Sequence, residues 1–228
     1  SLYSGNMGVW IKRGALLPLD DYVGRAGLNL DDYHRVAVEL CRWDGTLFCL
    51  PTGLTVRTVV YSLDRLEESG VAREDWPRSD KPMSWEQFKA LATRLTLRNP
   101  DGTFSQYGMA AGHNWDQTMI RMYGGTIVDR QVDPTAVTVE NNEALIKGIV
   151  EVYRSQYADR NTLGFIPLSS GGVRNLDAVL ISPHYAMGLT GPWALRTLKE
   201  AGVRFGLMPM PRGPVPSQLI YGLSLIHI

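Results

Sequence analysis

Several features that would place a chain quickly are scarce or missing here. The 228 residues hold only two cysteines, too few for a disulfide-built scaffold, and a chain of this length can bury a core without one. No charge of one sign dominates: 23 Lys and Arg stand against 23 Asp and Glu, a formal net charge of +0. Nucleic-acid binders carry a basic excess and solvating tails an acidic one, so both classes are disfavoured. No apolar run approaches the roughly 18 residues of a membrane helix. The longest, Leu219 to Ile228, is broken by Tyr221, Ser224 and His227. The amino end shows no basic start, apolar stretch and cleavage site in succession. Repeats with a period of about 20 to 50 residues and low-complexity tracts are missing as well.

Catalytic motifs are missing too. G-x-S-x-G, G-x-x-x-x-G-K-[ST], G-x-G-x-x-G and H-E-x-x-H do not occur. His34, His113, His184 and His227 are far apart, and no two make a metal pair with a carboxylate at helical spacing. Asp31-Asp32, Glu67-Glu68 and Glu74-Asp75 sit in helix starts or charged loops. They read as solvated faces, because a glycosidase acid/base pair needs a fixed separation across a cleft. No enzyme, metal or cofactor is expected from these residues.

What is present is a globular composition, 44% hydrophobic with 23 glycines and 13 prolines, which predicts many short elements joined by turns. Helices are expected at Gly5 to Lys12, Leu30 to Leu40, after a Ser62 cap up to Gly70, and from Ser84 to about Leu95. Ser84 and Gln87 have the spacing of a capping box. Further helices are expected at Trp115 to Met122 and from Pro192 to a Gly202 cap. Asn142 opens the longest one, with an apolar stripe of Leu145, Ile149, Val152, Tyr153 and Tyr157. Strands are expected at Leu47 to Leu50, Thr55 to Ser62, Tyr107 to Ala110, Tyr185 to Leu189 and Phe205 to Met208. This alternation predicts an α/β fold with parallel-type connections, in which ligands gather beyond the carboxyl ends of strands. Asp44-Gly45 reads as a hairpin turn. It sets Cys41 against Phe48 and Leu40 against Cys49, so the two cysteines are expected as partly buried free thiols.

One ordered series of segments is more specific. Gly14-Ala15-Leu16-Leu17-Pro18-Leu19-Asp20 resembles the G-x-L-x-P-L-D segment of family 1 extracellular solute-binding proteins, among them the maltodextrin-binding proteins. Asp44-Gly45-Thr46-Leu47-Phe48 with Pro51 resembles the family's D-G-K-x-Y-x-x-P hairpin. Val59-Val60-Tyr61-Ser62-Leu63-Asp64 resembles its x-x-Y-N-K-D segment, and Ser84-Trp85-Glu86-Gln87-Phe88 its T-W-x-E-[FL] segment. Tyr123-Gly124-Gly125, Ala186-Met187 through Gly191-Pro192-Trp193, and Met208-Pro209-Met210-Pro211-Arg212-Gly213 continue the family's order. Pro183-His184 departs from the usual Gly-Lys, and Leu223 to Ile228 leaves the pattern.

The resemblance implies a type II periplasmic-binding-protein-like fold of two α/β lobes, here an internal fragment lacking both termini of the family. Residues 1–57 are expected as part of the first lobe and 58–219 as a nearly complete second lobe. Residues 220–228 are expected as a crossover segment or a tail of doubtful origin. It further implies capture of a carbohydrate, an oligosaccharide, by lobe closure and delivery to the membrane permease of an ABC transporter. The alternative is an extracytoplasmic sensing domain of a receptor with the same fold. The expected setting is the periplasm, or the extracellular face of the membrane as a lipoprotein, and the expected state a monomer.

Sugars offer apolar C–H faces and a rim of hydroxyls, so aromatic platforms with polar neighbours bind them. The resemblance puts a stacking aromatic at Trp193, whose alternative role is to pack helix on strand. It gives the His113, Asn114 and Trp115 loop stacking and hydrogen-bonding roles, with helix capping by Asn114 also open. Asn6, Tyr3 and Thr55 fall at first-lobe contacts. Arg57 faces the cleft or joins a sheet-surface ion pair. Trp10, Trp43, Trp76 and Trp85 are expected to be structural.

Overall fold

A computed structural model describes residues 2–3, 7–110, 115–130, 134–163, 180–215 and 220–225. In chain order the elements are β1 (Leu2–Tyr3), α1 (Met7–Lys12), α2 (Asp20–Ala26), α3 (Arg35–Glu39), β2 (Arg42–Trp43), β3 (Thr46–Leu47) and β4 (Leu50–Val56). There follow β5 (Thr58–Ser62), α4 (Leu63–Glu68), α5 (Trp85–Arg94), β6 (Leu97–Arg98), β7 (Phe104–Ala110), α6 (Trp115–Met122) and α7 (Glu143–Tyr153). The chain ends with β8 (Thr162–Leu163), β9 (Tyr185–Thr190), α8 (Ala194–Glu200), β10 (Phe205–Met208) and β11 (Ile220–Leu225). It divides into two compact units. The first comprises Ser1–Val56, Ile127–Val139 and Ile220–Ile228; the second comprises Arg57–Thr126 and Glu140–Leu219. Residues Ile127–Val139 thus cluster apart from the stretch that flanks them in sequence. No helix among the described residues is long and apolar enough to cross a membrane.

In the first unit, β11 lies between β1 and β4, antiparallel to both. Its small core is built from Met7, Leu16, Leu19, Val38 and Leu47 around the two cysteines. Asp20 explains two of the sequence segments at once. Its carboxylate accepts from the Leu47 amide at 2.9 Å and from Arg42 at 3.2 Å, tying α2 to the β2–β3 hairpin. Asp44 and Gly45 both take positive φ, 47° and 77°, as the hairpin turn requires. In the Ile127–Val139 segment, the Asp129 carboxylate accepts from the Thr135 side chain and the Thr135 and Ala136 amides. The Thr135 hydroxyl bond, with the backbone amides, holds its carboxyl well below the usual carboxylate range.

Three expectations fail here. Cys41 and Cys49 are joined in a disulfide, with Cα atoms 5.0 Å apart, and are not free thiols. The hairpin register does place Cys41 opposite Phe48, whose amide donates to the Cys41 carbonyl at 2.9 Å. The paired strands, however, stop at Arg42 and Leu47. Beyond that point strand alternation no longer fixes side-chain direction, and both sulfurs turn into the core. The single helix expected over Leu30 to Leu40 is two pieces, a 3-10 turn at Leu30–Asp32 and α3. Asn29 caps the first and the His34 ring caps the second, accepting from the Val36 amide at 3.3 Å. The expected Thr55 to Ser62 strand likewise divides at Arg57 between β4 and β5.

The second unit is built on a mixed sheet ordered β10-β5-β9-β7-β6, with β8 also pairing β7. β7 runs parallel to β8 and β9, whereas β5 and β10 run antiparallel to their neighbours. One core joins the sheet to α4, α5, α6 and α7 through Val59, Leu66, Phe88, Met109, Met119, Val152 and Met187. A smaller cluster packs Val60, Tyr185 and Leu198 of α8. The capping box opens α5: Gln87 accepts from the Ser84 amide at 2.9 Å, and the Ser84 hydroxyl accepts from the Gln87 amide at 3.1 Å. Asn142 caps α7 through the Leu145 amide at 3.0 Å. The expected stripe of that helix is only half right. Leu145 and Val152 are buried, but Tyr153 and Tyr157 point to solvent.

Candidate functional site

Strand directions concentrate several chain ends on one edge of the second unit's sheet. β9 ends at Thr190, opposite Thr58, where β5 begins. β7 is parallel to β9 and ends at Ala110, opposite Gly188, while β8 ends at Leu163 beside Ala110. β10, antiparallel to β5, ends at Met208 opposite Val59. The Thr58 hydroxyl donates to the Met208 carbonyl at 2.6 Å, closing this edge. The carboxyl ends of β7, β8, β9 and β10 therefore share it, which is where ligands of open α/β sheets gather.

Trp193 stands at this edge, two residues past Gly191. Thr190 is fully buried, yet the Trp193 side chain is 43% exposed. Its direction is fixed locally. Any Cβ at Gly191 would run into the indole, so glycine there lets the ring lie against the backbone. On the same edge the Arg57 guanidinium carbon lies 5.4 Å from the ring centroid, within cation–π range. Sequence patterns carry no signal for this pairing, because the two residues come from distant segments.

Trp115 is placed differently. It is 2% exposed and belongs to the core, its ring 5.8 Å from that of Trp85 and tilted by 52°. Its Nε1–H is buried without a hydrogen-bond partner among the described residues. The stacking role expected of Trp115 is therefore corrected. The first turn of α6 directs its indole under the helix, onto α5, and leaves no face for a ligand. His113, Asn114 and Asn6 lie outside the described residues, and Tyr3 and Thr55 are described by their backbones alone. Tyr3 pairs with Leu223 in β1, and Thr55 pairs with Tyr221 in β4. Trp43, Trp76 and Trp85 pack against their cores as expected, but Trp10 stands exposed on α1.

A buried charge with no signal in the sequence pattern joins α5 to α7. The Glu151 carboxylate accepts from Trp85 Nε1 at 2.9 Å and from Lys89 Nζ at 2.7 Å, and Lys89 also reaches Glu86 at 3.0 Å. Burial raises the Glu151 pKa, but the Lys89 and Trp85 hydrogen bonds outweigh it and hold the carboxyl below its ordinary range. Burial lowers the Lys89 pKa, and its two carboxylate partners reverse that. This group braces α5 against α7.

A cleft of about 420 Å³ lies elsewhere in the second unit, lined by Val71, Trp76, Lys81, Met83, Leu91 and Arg94 among others. The Arg73 guanidinium covers the Trp76 ring at 4.7 Å, and Nε1 donates to the Val71 carbonyl at 2.9 Å. The cleft shares no lining residue with the Arg57–Trp193 pair. Among the described residues no cluster of three His, Cys, Asp or Glu side chains is arranged to hold a metal.

The family model of the bacterial extracellular solute-binding proteins matches residues 1–224. The chain belongs to this family. It is a family of binding proteins, not of enzymes. A galactooligosaccharide-binding protein of Bacillus subtilis is 22% identical over 186 residues, 79% of this chain and 40% of the relative. An ABC substrate-binding protein of Listeria monocytogenes, solved in complex with cycloalternan, superposes with a TM-score of 0.77 at 16% identity, over 98% of this chain and 55% of that one. UgpB of Mycobacterium tuberculosis, solved in complex with glycerophosphocholine, gives 0.74 at 17% identity, over 99% and 54%. These solved structures share the periplasmic-binding-protein-like fold of this solute-binding chain. The chain spans 40% of the length of the Bacillus relative and about half of the solved ones.

Proposed function

We propose that this protein captures an oligosaccharide outside the cytoplasm for delivery to the membrane permease of an ABC importer. The observation that carries the reading is the exposed Trp193 indole at the carboxyl edge of the sheet. It is an apolar plate with the Arg57 guanidinium over its ring, a pairing of apolar face and hydrogen-bond donors suited to the C–H face and hydroxyl rim of a sugar. The galactooligosaccharide-binding and cycloalternan-bound relatives support the ligand class. In this reading Trp193 stacks on a sugar ring. His113 and Asn114, on the chain leaving β7, and Tyr3, Asn6 and Thr55 of the first unit are the candidate hydrogen-bonding or stacking partners. Ligand capture proceeds by lobe closure, with no chemical step.

A thermal-shift panel tests the ligand class. A ligand that binds only the folded state stabilises it by about 2.7 kcal/mol at a hundred times its Kd. Maltotriose, a galactooligosaccharide and cycloalternan are compared with glycerophosphocholine. A rise in Tm with one or more of the sugars is expected. A rise with glycerophosphocholine alone contradicts the carbohydrate reading.

A further inference from the structure

The platform at the strand edge carries a charge before any ligand arrives. Arg57 lies between β4 and β5, and β5 begins at this edge, where Thr58 pairs with Thr190. Its side chain is partly buried, and its guanidinium carbon stands 5.4 Å from the Trp193 ring centroid. The negative face of an indole attracts a cation placed there. An indole has two faces, and Arg57 takes one of them. The benzo ring also lies against Gly191, where no Cβ would fit, so the pair is held close to the backbone. A ligand that stacks on Trp193 therefore meets a ring already paired with a full positive charge.

The chain leaving this edge has the same sign. The six residues that follow each of β7, β8, β9 and β10 include two arginines, Arg196 and Arg212, and one carboxylate, Asp116, with His113 the other titratable group. Counting Arg57, three fixed cations stand against one anion, in a protein whose formal net charge is +0. Asp116 sits in the first turn of α6, beside the positive end of the helix, which offsets part of its charge. Protonation of His113 only adds to the positive sign.

We propose that Arg57 is the specificity-determining residue of this site and that it sorts oligosaccharides by charge. Neutral sugars and sugars bearing carboxylates are accepted, and protonated amino sugars are rejected. The inference rests on the capture reading, in which a sugar ring stacks on Trp193. A carboxylate on that sugar meets a guanidinium fork, which can pair with it through two parallel N–H donors. An ammonium meets a like charge, on a ring whose attraction for cations Arg57 already uses. A built-in like charge is one of the ways a binding site excludes the wrong ligand.

Titration calorimetry on the full chain at neutral pH reads this with three forms of the neutral oligosaccharide that gives the largest thermal shift. They are the sugar itself, the sugar with its C6 hydroxyls replaced by amines, and the sugar with them oxidised to carboxylates. The parent binds the amine form about tenfold more weakly than the neutral one, and the carboxylate form at least as tightly as the neutral one. Arg57→Met keeps the apolar stem without the charge and shrinks the amine penalty several-fold, whereas Arg57→Lys keeps the order of the three. The parent's penalty also shrinks between about 20 mM and about 500 mM salt, which screens charges and leaves packing in place. That arm needs no variant, so it stands even where Arg57→Met does not fold. A parent that binds the amine form as tightly as the neutral one overturns the proposal. So does a penalty that neither salt nor Arg57→Met reduces. A parent that binds none of the three overturns the capture reading itself, and the proposal with it.

Discussion

Two tryptophans with similar sequence credentials behave in opposite ways. Trp193 follows a Gly-Pro step after a strand, and Trp115 follows a polar loop after a strand; both read as ring platforms in the sequence. What separates them is the geometry of the first helical turn. Gly191 lets the Trp193 indole fold back over the backbone at the sheet edge, whereas Trp115 points under its helix onto Trp85. Truncation therefore has different consequences. Trp115→Ala removes a fully buried ring and should cost about 3–5 kcal/mol of stability, read as a lowered denaturant midpoint. Trp193→Ala should cost less, about 1 kcal/mol or under, because the side chain is only partly buried. A residue's polarity and its place after a strand were legible in the sequence; the direction of its side chain was not.

At the scale of elements, caps and turns were the most legible features. The Ser84 capping box, the Asn142 cap and the Asp44-Gly45 turn all form as their local hydrogen-bonding chemistry requires. Long-range packing was not legible. The face of α7 that is buried is decided by where Gly148 meets α6, and the Glu151 brace between α5 and α7 depends on a contact between distant segments. That brace has a pH signature. The folded-state pKa of Glu151 is depressed, so its contribution is present above the ordinary carboxylate pKa near 4.3 and is lost as pH falls through the folded value. Lys89 is raised, so its contribution is complete below its ordinary value near 10.4 and is lost only as pH rises through the folded one. Glu151→Gln should therefore be less stable than the parent by about 1.5–3 kcal/mol at pH 7. The gap should close below about pH 4. Chemical denaturation of both proteins across that range checks it, and a gap that persists undiminished at pH 3 contradicts the assigned role.

For the whole molecule, the α/β class and the family were legible because seven short segments keep the family's order. The interleaving of the two units was not legible, since Ile127–Val139 joins the first unit across an intervening stretch. The Cys41–Cys49 disulfide fits an oxidising setting. Closing so short a loop should stabilise the first unit by about 2–3 kcal/mol, so Cys41→Ser with Cys49→Ser should lower the denaturant midpoint of that unit and spare the second.

The most direct test of the central claim is titration calorimetry of the parent and Trp193→Ala with the oligosaccharide that gives the largest thermal shift. The account predicts saturable binding by the parent and at least tenfold weaker binding by the variant, about 1.4 kcal/mol, with folding unchanged. Equal affinity of parent and variant would contradict the assignment of this strand edge as the sugar site.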